Sequence, residues 1–190
     1  MVDHSEDQRE SEVSVETHLF VIWDKGRFAE KRILEDMRQR FEVLYSGEMR
    51  FPGVAREDYC RFYNTRRFNV RKKVSRCGVG PFLFVIVKVH DSEQVVDQYG
   101  KTVNALMYKA KDMYREWCGG KFRVHGTLQT AEYERDVYRI TGHTAEEWER
   151  GVPSEMHMEL PPYDSLPPPD GENPFLRLLR HLGLSKKGNK

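Results

Sequence analysis

The chain has 190 residues, 38% apolar and 32% charged, and its 31 Lys and Arg against 30 Asp and Glu give a formal net charge of +1. Typical globular chains are about 45–50% apolar and about 25% charged, so the composition predicts one polar domain with a modest core. It excludes a globally basic nucleic-acid binder, and no apolar run approaches the roughly 18 residues of a membrane span.

The first 17 residues are acidic and polar, which predicts neither a secretory nor a transit leader. Cys60, Cys77 and Cys118 form no CxxC pair. An odd count without that spacing argues against a disulfide scaffold and a Cys-rich zinc site. The expected setting is the cytoplasm, with each thiol buried and inert; of the three, Cys118, just before Gly119-Gly120, is the nearest to an exposed position.

Residues 1–16 carry many charges and no aromatic ring, a composition expected to stay disordered. The domain over 17–150 opens with His18-Leu19-Phe20-Val21-Ile22-Trp23, read as a buried strand. Ala29, Ile33, Leu34 and Met37 then recur at helical spacing over 28–40. Phe41 to Tyr45 alternates like a second strand, broken by Gly47 and Pro52-Gly53. Residues 54–64 predict a short helix with Tyr59, Phe62 and Tyr63 on one side, followed by a basic connection from Arg66 to Arg76. Phe82-Leu83-Phe84-Val85-Ile86-Val87 is the most apolar run and the expected central strand. A stripe from Val103 through Met107, Ala110 and Tyr114 to Trp117 predicts a helix over 102–117, stopped at Gly119. Phe122-Arg123-Val124 reads as the last strand, and a helix from about Thr130 follows it. Thr144-Ala145-Glu146-Glu147 is a capping-box pattern that opens a final short helix. Pro161-Pro162 and Pro167-Pro168-Pro169 mark 151–190 as an extended arm, ending in a short amphipathic helix from Phe175 to Leu182. The order is βαββαβ, which predicts a ferredoxin-like α+β sandwich, an antiparallel sheet with helices on one face.

Three segments could carry chemistry. Val124-His125-Gly126-Thr127 ends the last strand, and Arg135-Asp136 follows inside the next helix. A neutral imidazole is well populated near pH 7, and a nucleophilic one needs a partner to orient it. Asp136 could fold back as that partner, and Thr127 offers a hydroxyl; the plainer reading is a strand-end His satisfied by backbone. Asp24-Lys25-Gly26-Arg27 puts a lysine at a strand tip beside a helix start, where phosphate is attracted, or where a solvated turn lysine simply sits. Arg66, Arg67, Arg71, Lys72, Lys73 and Arg76 have no acid among them and lie near Phe62, Tyr63 and Phe68, a mixture suited to phosphates and bases or to a solvated connection.

Together these residues resemble the nucleoside diphosphate kinases over about residues 18–142. The resemblance rests on Phe20-Val21-Ile22-Trp23-Asp24-Lys25, on Gly80-Pro81-Phe82-Leu83-Phe84-Val85, and on Val124-His125-Gly126-Thr127 with the trailing Arg135-Asp136. It implies that His125 accepts a phosphoryl group, that Lys25 binds that group, and that Thr127 and Asp136 support His125. It also puts Tyr63 and Arg67 at nucleotide contacts. Where the family has a long phosphate-binding loop before the His strand, only Cys118-Gly119-Gly120-Lys121 connects the elements here. Lys25 is followed by Gly26-Arg27-Phe28 instead of Pro-Asp-Gly, and Phe122 stands where the family has Asn. Replacement phosphate contacts are expected from Arg123, Arg115, Lys111 or the arginines of 66–76, Arg71 among them.

The resemblance therefore implies a remodelled phosphotransferase that takes the γ-phosphate of a nucleoside triphosphate, with Mg²⁺ on the nucleotide, and passes it to an unidentified acceptor. No acidic cluster suggests a metal cage within the protein. The alternative is a non-catalytic nucleotide- or RNA-binding module of the same topology, with Phe82 and Phe84 as a stacking platform. A homo-oligomer is the expected assembly, docked through the C-terminal arm.

Overall fold

The computed structural model describes residues 15–66, 69–90 and 93–167. Arg67, the amphipathic segment 175–182 and all but the last two residues of the expected disordered start lie outside the described residues. In chain order the elements are β1 (Glu16–Ile22), a 3-10 turn (Asp24–Ala29), α1 (Glu30–Arg40), β2 (Glu42–Met49), α2 (Ala55–Phe62), α3 (Asn69–Cys77), β3 (Phe82–Val89), β4 (Gln94–Val96), β5 (Thr102–Asn104), α4 (Ala105–Trp117), β6 (Val124–Gly126), α5 (Thr130–Thr141), α6 (Ala145–Arg150) and a second 3-10 turn (Tyr163–Ser165).

Four strands form one antiparallel sheet in the order β2-β3-β1-β6, and β4 pairs β5 in a separate hairpin. The two most apolar runs, β1 and β3, are central neighbours, with Leu19 opposite Ile86 and Val21 opposite Phe84. β2 extends further than the alternation in the sequence suggests, because a bulge between Val43 and Tyr45 resets its register on β3. The basic run is not a connection but largely the helix α3, whose Val70 and Cys77 turn inward. α4 starts at Ala105, where the Asn104 side chain accepts the Met107 N–H at 3.0 Å. The capping box of α6 forms as expected, with Thr144 and Glu147 each accepting the other's backbone N–H.

Helices cover both faces of the sheet rather than one. Phe20 and Ile22 of β1 pack with Leu83, Val85 and Val87 of β3 beneath α1 and α4. Leu19, Val21 and Trp23 pack with Phe82, Phe84 and Ile86 beneath α2, α3, α5 and α6. Strands apolar at every position require this, since a bare face would leave half of those side chains in water. Phe82 and Phe84 are therefore buried, and the platform of the RNA-binding alternative is covered. All three cysteines are buried, as expected, Cys118 included.

The described part of the C-terminal segment packs on its own domain. Leu160 and Leu166 are buried in the α5-side core. Arg61 donates to the carbonyls of Leu160 at 2.8 Å and Pro161 at 2.7 Å, and Arg66 to that of Tyr163 at 2.8 Å. Among the described residues no helix is long and apolar enough to cross a membrane.

Candidate functional site

His125 is the middle residue of β6, in register with Val21 of β1. A Cβ on Gly126 would lie 2.9 Å from the Phe20 ring and 3.5 Å from the Lys111 stem, so glycine lets α4 lie close along β6. Across that contact Lys111 Nζ donates to the Gly126 carbonyl at 2.6 Å, and Arg115 Nε to that of Val124 at 3.3 Å.

α5 brings Asp136 beneath the imidazole. Asp136 is fully buried; its Oδ2 accepts from His125 Nε2 at 2.7 Å and its Oδ1 from Arg135 Nε at 2.7 Å. Phe62 and Tyr63 meet the imidazole in T-shaped contacts, with centroids 5.5 and 5.6 Å away. The ring is thus fixed on three sides while its side chain keeps 13% exposure. Burial pushes Asp136 up, but the hydrogen bonds from His125 and Arg135 outweigh it and hold the carboxyl below its ordinary range. Burial lowers His125 below the usual imidazole value, opposed by Asp136 and assisted by Lys111 and Lys73. A neutral imidazole beside a carboxylate places its proton on Nε2 and leaves the Nδ1 lone pair free. Nδ1 has no hydrogen-bond partner among the described residues.

His125 lines a cleft of about 950 Å³. Tyr63 and Lys73 form one wall, and Tyr108, Lys111, Asp112, Arg115 and Glu116, one face of α4, form another. The β4–β5 loop and the Gly119–Phe122 turn reach its two ends. Lys73 sits over the Tyr63 ring, 3.0 Å from its centroid. Burial, first, and neighbouring cations lower both Lys73 and Lys111 to about 8. Five cations, Lys73, Lys101, Lys111, Arg115 and Lys121, share the lining with four acids, Asp97, Asp112, Glu116 and Glu132, and Arg115 pairs with Asp112 at 3.1 Å.

The structure brings His125, Asp136, Tyr63, Lys111 and Arg115 together, whereas Lys25, Thr127, Arg123 and Arg71 fall elsewhere and Arg67 lies outside the described residues. Lys25 does not line the cleft; its Nζ donates to the Ser75 carbonyl at 2.8 Å, near the end of α3. Its neighbour Asp24 accepts the Gly80 N–H at 2.9 Å, so this turn braces the entry to β3. Thr127 is buried and serves β1: its Oγ1 accepts the Leu19 N–H at 2.9 Å and lies 3.3 Å from His18 Nδ1. Arg123 donates to the Cys118 carbonyl at 2.7 Å, and Arg71 lies exposed on α3; neither lines the cleft.

Sequence reasoning gave Lys73 no role beyond membership of a basic run. The spacing of Val70, Val74 and Cys77 is the signal that would have set it beside an inward-facing stripe. The β4–β5 hairpin, which brings Tyr99 and Lys101 to the cleft, was not anticipated; Gln94-Val95-Val96 and Gly100 are its weak marks.

No protein-family model and no curated protein matches the sequence. Among solved structures, the chain is similar to the nucleoside diphosphate kinase of Aquifex aeolicus, with a TM-score of 0.46 and 16% identity over 65% of this chain and 93% of that one. It is also similar to a nucleoside diphosphate kinase family protein from Babesia bovis, with a TM-score of 0.41 and 11% identity over 64% of this chain and 84% of that one. Among the described residues no group of three or more His, Cys, Asp or Glu side chains could hold a metal ion.

Proposed function

We propose that the protein is a nucleotide-dependent phosphotransferase that works through a phosphohistidine at His125. The observation that carries this reading is an imidazole, locked through Nε2 by a buried carboxylate, at the wall of a cleft that Lys73, Lys111 and Arg115 also line. The Nδ1 lone pair attacks the γ-phosphorus of a nucleoside triphosphate in line. The N–P bond forms as the bond to the β–γ bridging oxygen breaks, and the nucleoside diphosphate leaves with the electron pair. An acceptor oxygen then takes the phosphoryl group from Nδ1 and restores the lone pair, which gives ping-pong kinetics.

Such transfers depend mainly on positioning and charge neutralisation. Lys73, Lys111 and Arg115 supply positive charge, and the pairing with Asp136 spreads the charge that the imidazole gains on phosphorylation. Lys73 thereby takes the part first expected of Lys25. Mg²⁺ would enter with the nucleotide as part of the substrate and supply further charge neutralisation.

Incubation with γ-phosphate-labelled ATP tests the reading. The wild type becomes labelled on a group stable to base and labile to acid, and His125→Asn does not. Label of the same lability surviving that substitution excludes His125 as the acceptor.

A further inference from the structure

The cleft beside His125 is lined by one face of α4. α4 rises about 1.5 Å per residue, so Tyr108 lies roughly 7 Å along the helix axis from the midpoint of Lys111 and Arg115, the two cations that hold the backbone on either side of His125. Lys111 and Arg115 are thus next to the imidazole, and the β4–β5 loop, which leads through β5 into the first turn of α4, brings Tyr99 and Lys101 to the cleft.

Four aromatic side chains other than His125 line the cleft, and they are not equivalent. Tyr63 carries Lys73 over its ring and makes a T-shaped contact with His125. Phe122 carries Arg76 at 5.1 Å from its centroid and packs against the core. Tyr99 and Tyr108 have no ring contact among the described residues. Tyr99 is 78% exposed, a large rigid ring held out to water. Its backbone is fixed: Asp97 Oδ1 accepts the N–H groups of both Tyr99 and Lys101, at 2.8 and 2.9 Å, and Gly100 takes the positive φ of 77° that closes the turn. An exposed aromatic ring on a preorganised turn is a stacking platform with little ordering left to do.

We infer that Tyr99 and Tyr108 hold the nucleobase at the hairpin end of the cleft, so that the triphosphate runs along α4 through Lys111 and Arg115 to His125. The inference rests on the phosphotransferase reading for the identity of the ligand. It puts the base not on Tyr63, whose ring already serves Lys73 and His125, but on a hairpin that the family resemblance did not anticipate. Stacking makes little distinction among bases, so these two rings predict a site tolerant of base identity.

The test is calorimetric titration of the full chain with MgATP and, separately, with magnesium tripolyphosphate, which has the charge but no base. The expected result is that Tyr99→Ala and Tyr108→Ala each weaken MgATP binding about tenfold, the scale of one lost base–aromatic stack. Tripolyphosphate affinity is unchanged, and Tyr108→Phe binds both ligands like the wild type. Tyr99 is exposed, so its variant decides the matter even if Tyr108→Ala unfolds. Unchanged MgATP binding in Tyr99→Ala, or equal losses for both ligands, overturns the inference. Phosphoenzyme formation alongside such a result leaves the phosphotransferase reading standing, whereas selective loss of MgATP binding in a protein that never takes label on His125 overturns that reading alone. A wild type that binds neither ligand overturns both.

Discussion

At the scale of single residues, the account turns on which groups carry charge. Lys73 and Lys111 titrate near 8 because burial and nearby cations oppose their charge, against about 10.4 in an unfolded chain. Between these values the unfolded chain binds more protons, so in the free protein these two groups add stability as pH rises from about 8. Below 8 both are charged and a polyanion relieves their repulsion. Tripolyphosphate therefore raises Tm more at pH 7 than at pH 9.5, where the lysines are largely neutral. Equal shifts at the two pH values would show that other groups bind the anion. The His125–Asp136 pair was legible in the sequence because a strand end and a helix two turns deep are local features. Lys25 was not legible as a brace, because its partner, the Ser75 carbonyl, is exposed only by the end of a helix that the sequence had suggested was a connection.

At the scale of elements, the site exists because β6 and α4 touch. Gly126 permits the contact, and Phe20 of β1 fills the space a side chain would need. Gly126→Ala forces a methyl against that ring and the Lys111 stem, with an expected loss of about 1–3 kcal/mol of stability and a slower phosphoenzyme step. Chemical denaturation measures the first and rapid-quench labelling the second; a variant as stable and as fast as the wild type would show that the close approach is not required. Elements marked by continuous apolar runs or capping patterns, namely β1, β3 and α6, were readable from sequence. The β4–β5 hairpin was not: it has three residues per strand, lies outside the main sheet and has little apolar periodicity to announce it.

At the scale of the whole molecule, the same apolar runs that were readable as strands also required cover on both faces, which the ferredoxin-like expectation of one-sided helices missed. α5 packs on β1 from the face opposite α4, so Asp136 reaches the imidazole from one side while Lys111 and Arg115 approach along β6. The segment after α6 completes that second layer. Leu166 is buried, and Leu166→Ala is expected to cost about 2–5 kcal/mol. Urea denaturation showing no change would mean that the segment is not part of the core. The central claim remains the covalent one, and phosphorus NMR of the protein mixed with MgATP and quenched in alkali tests it most directly. The account predicts a phosphoramidate signal on Nδ1 of His125, absent from His125→Asn. A signal on an oxygen ester alone, or a phosphoramidate that persists in His125→Asn, would contradict it.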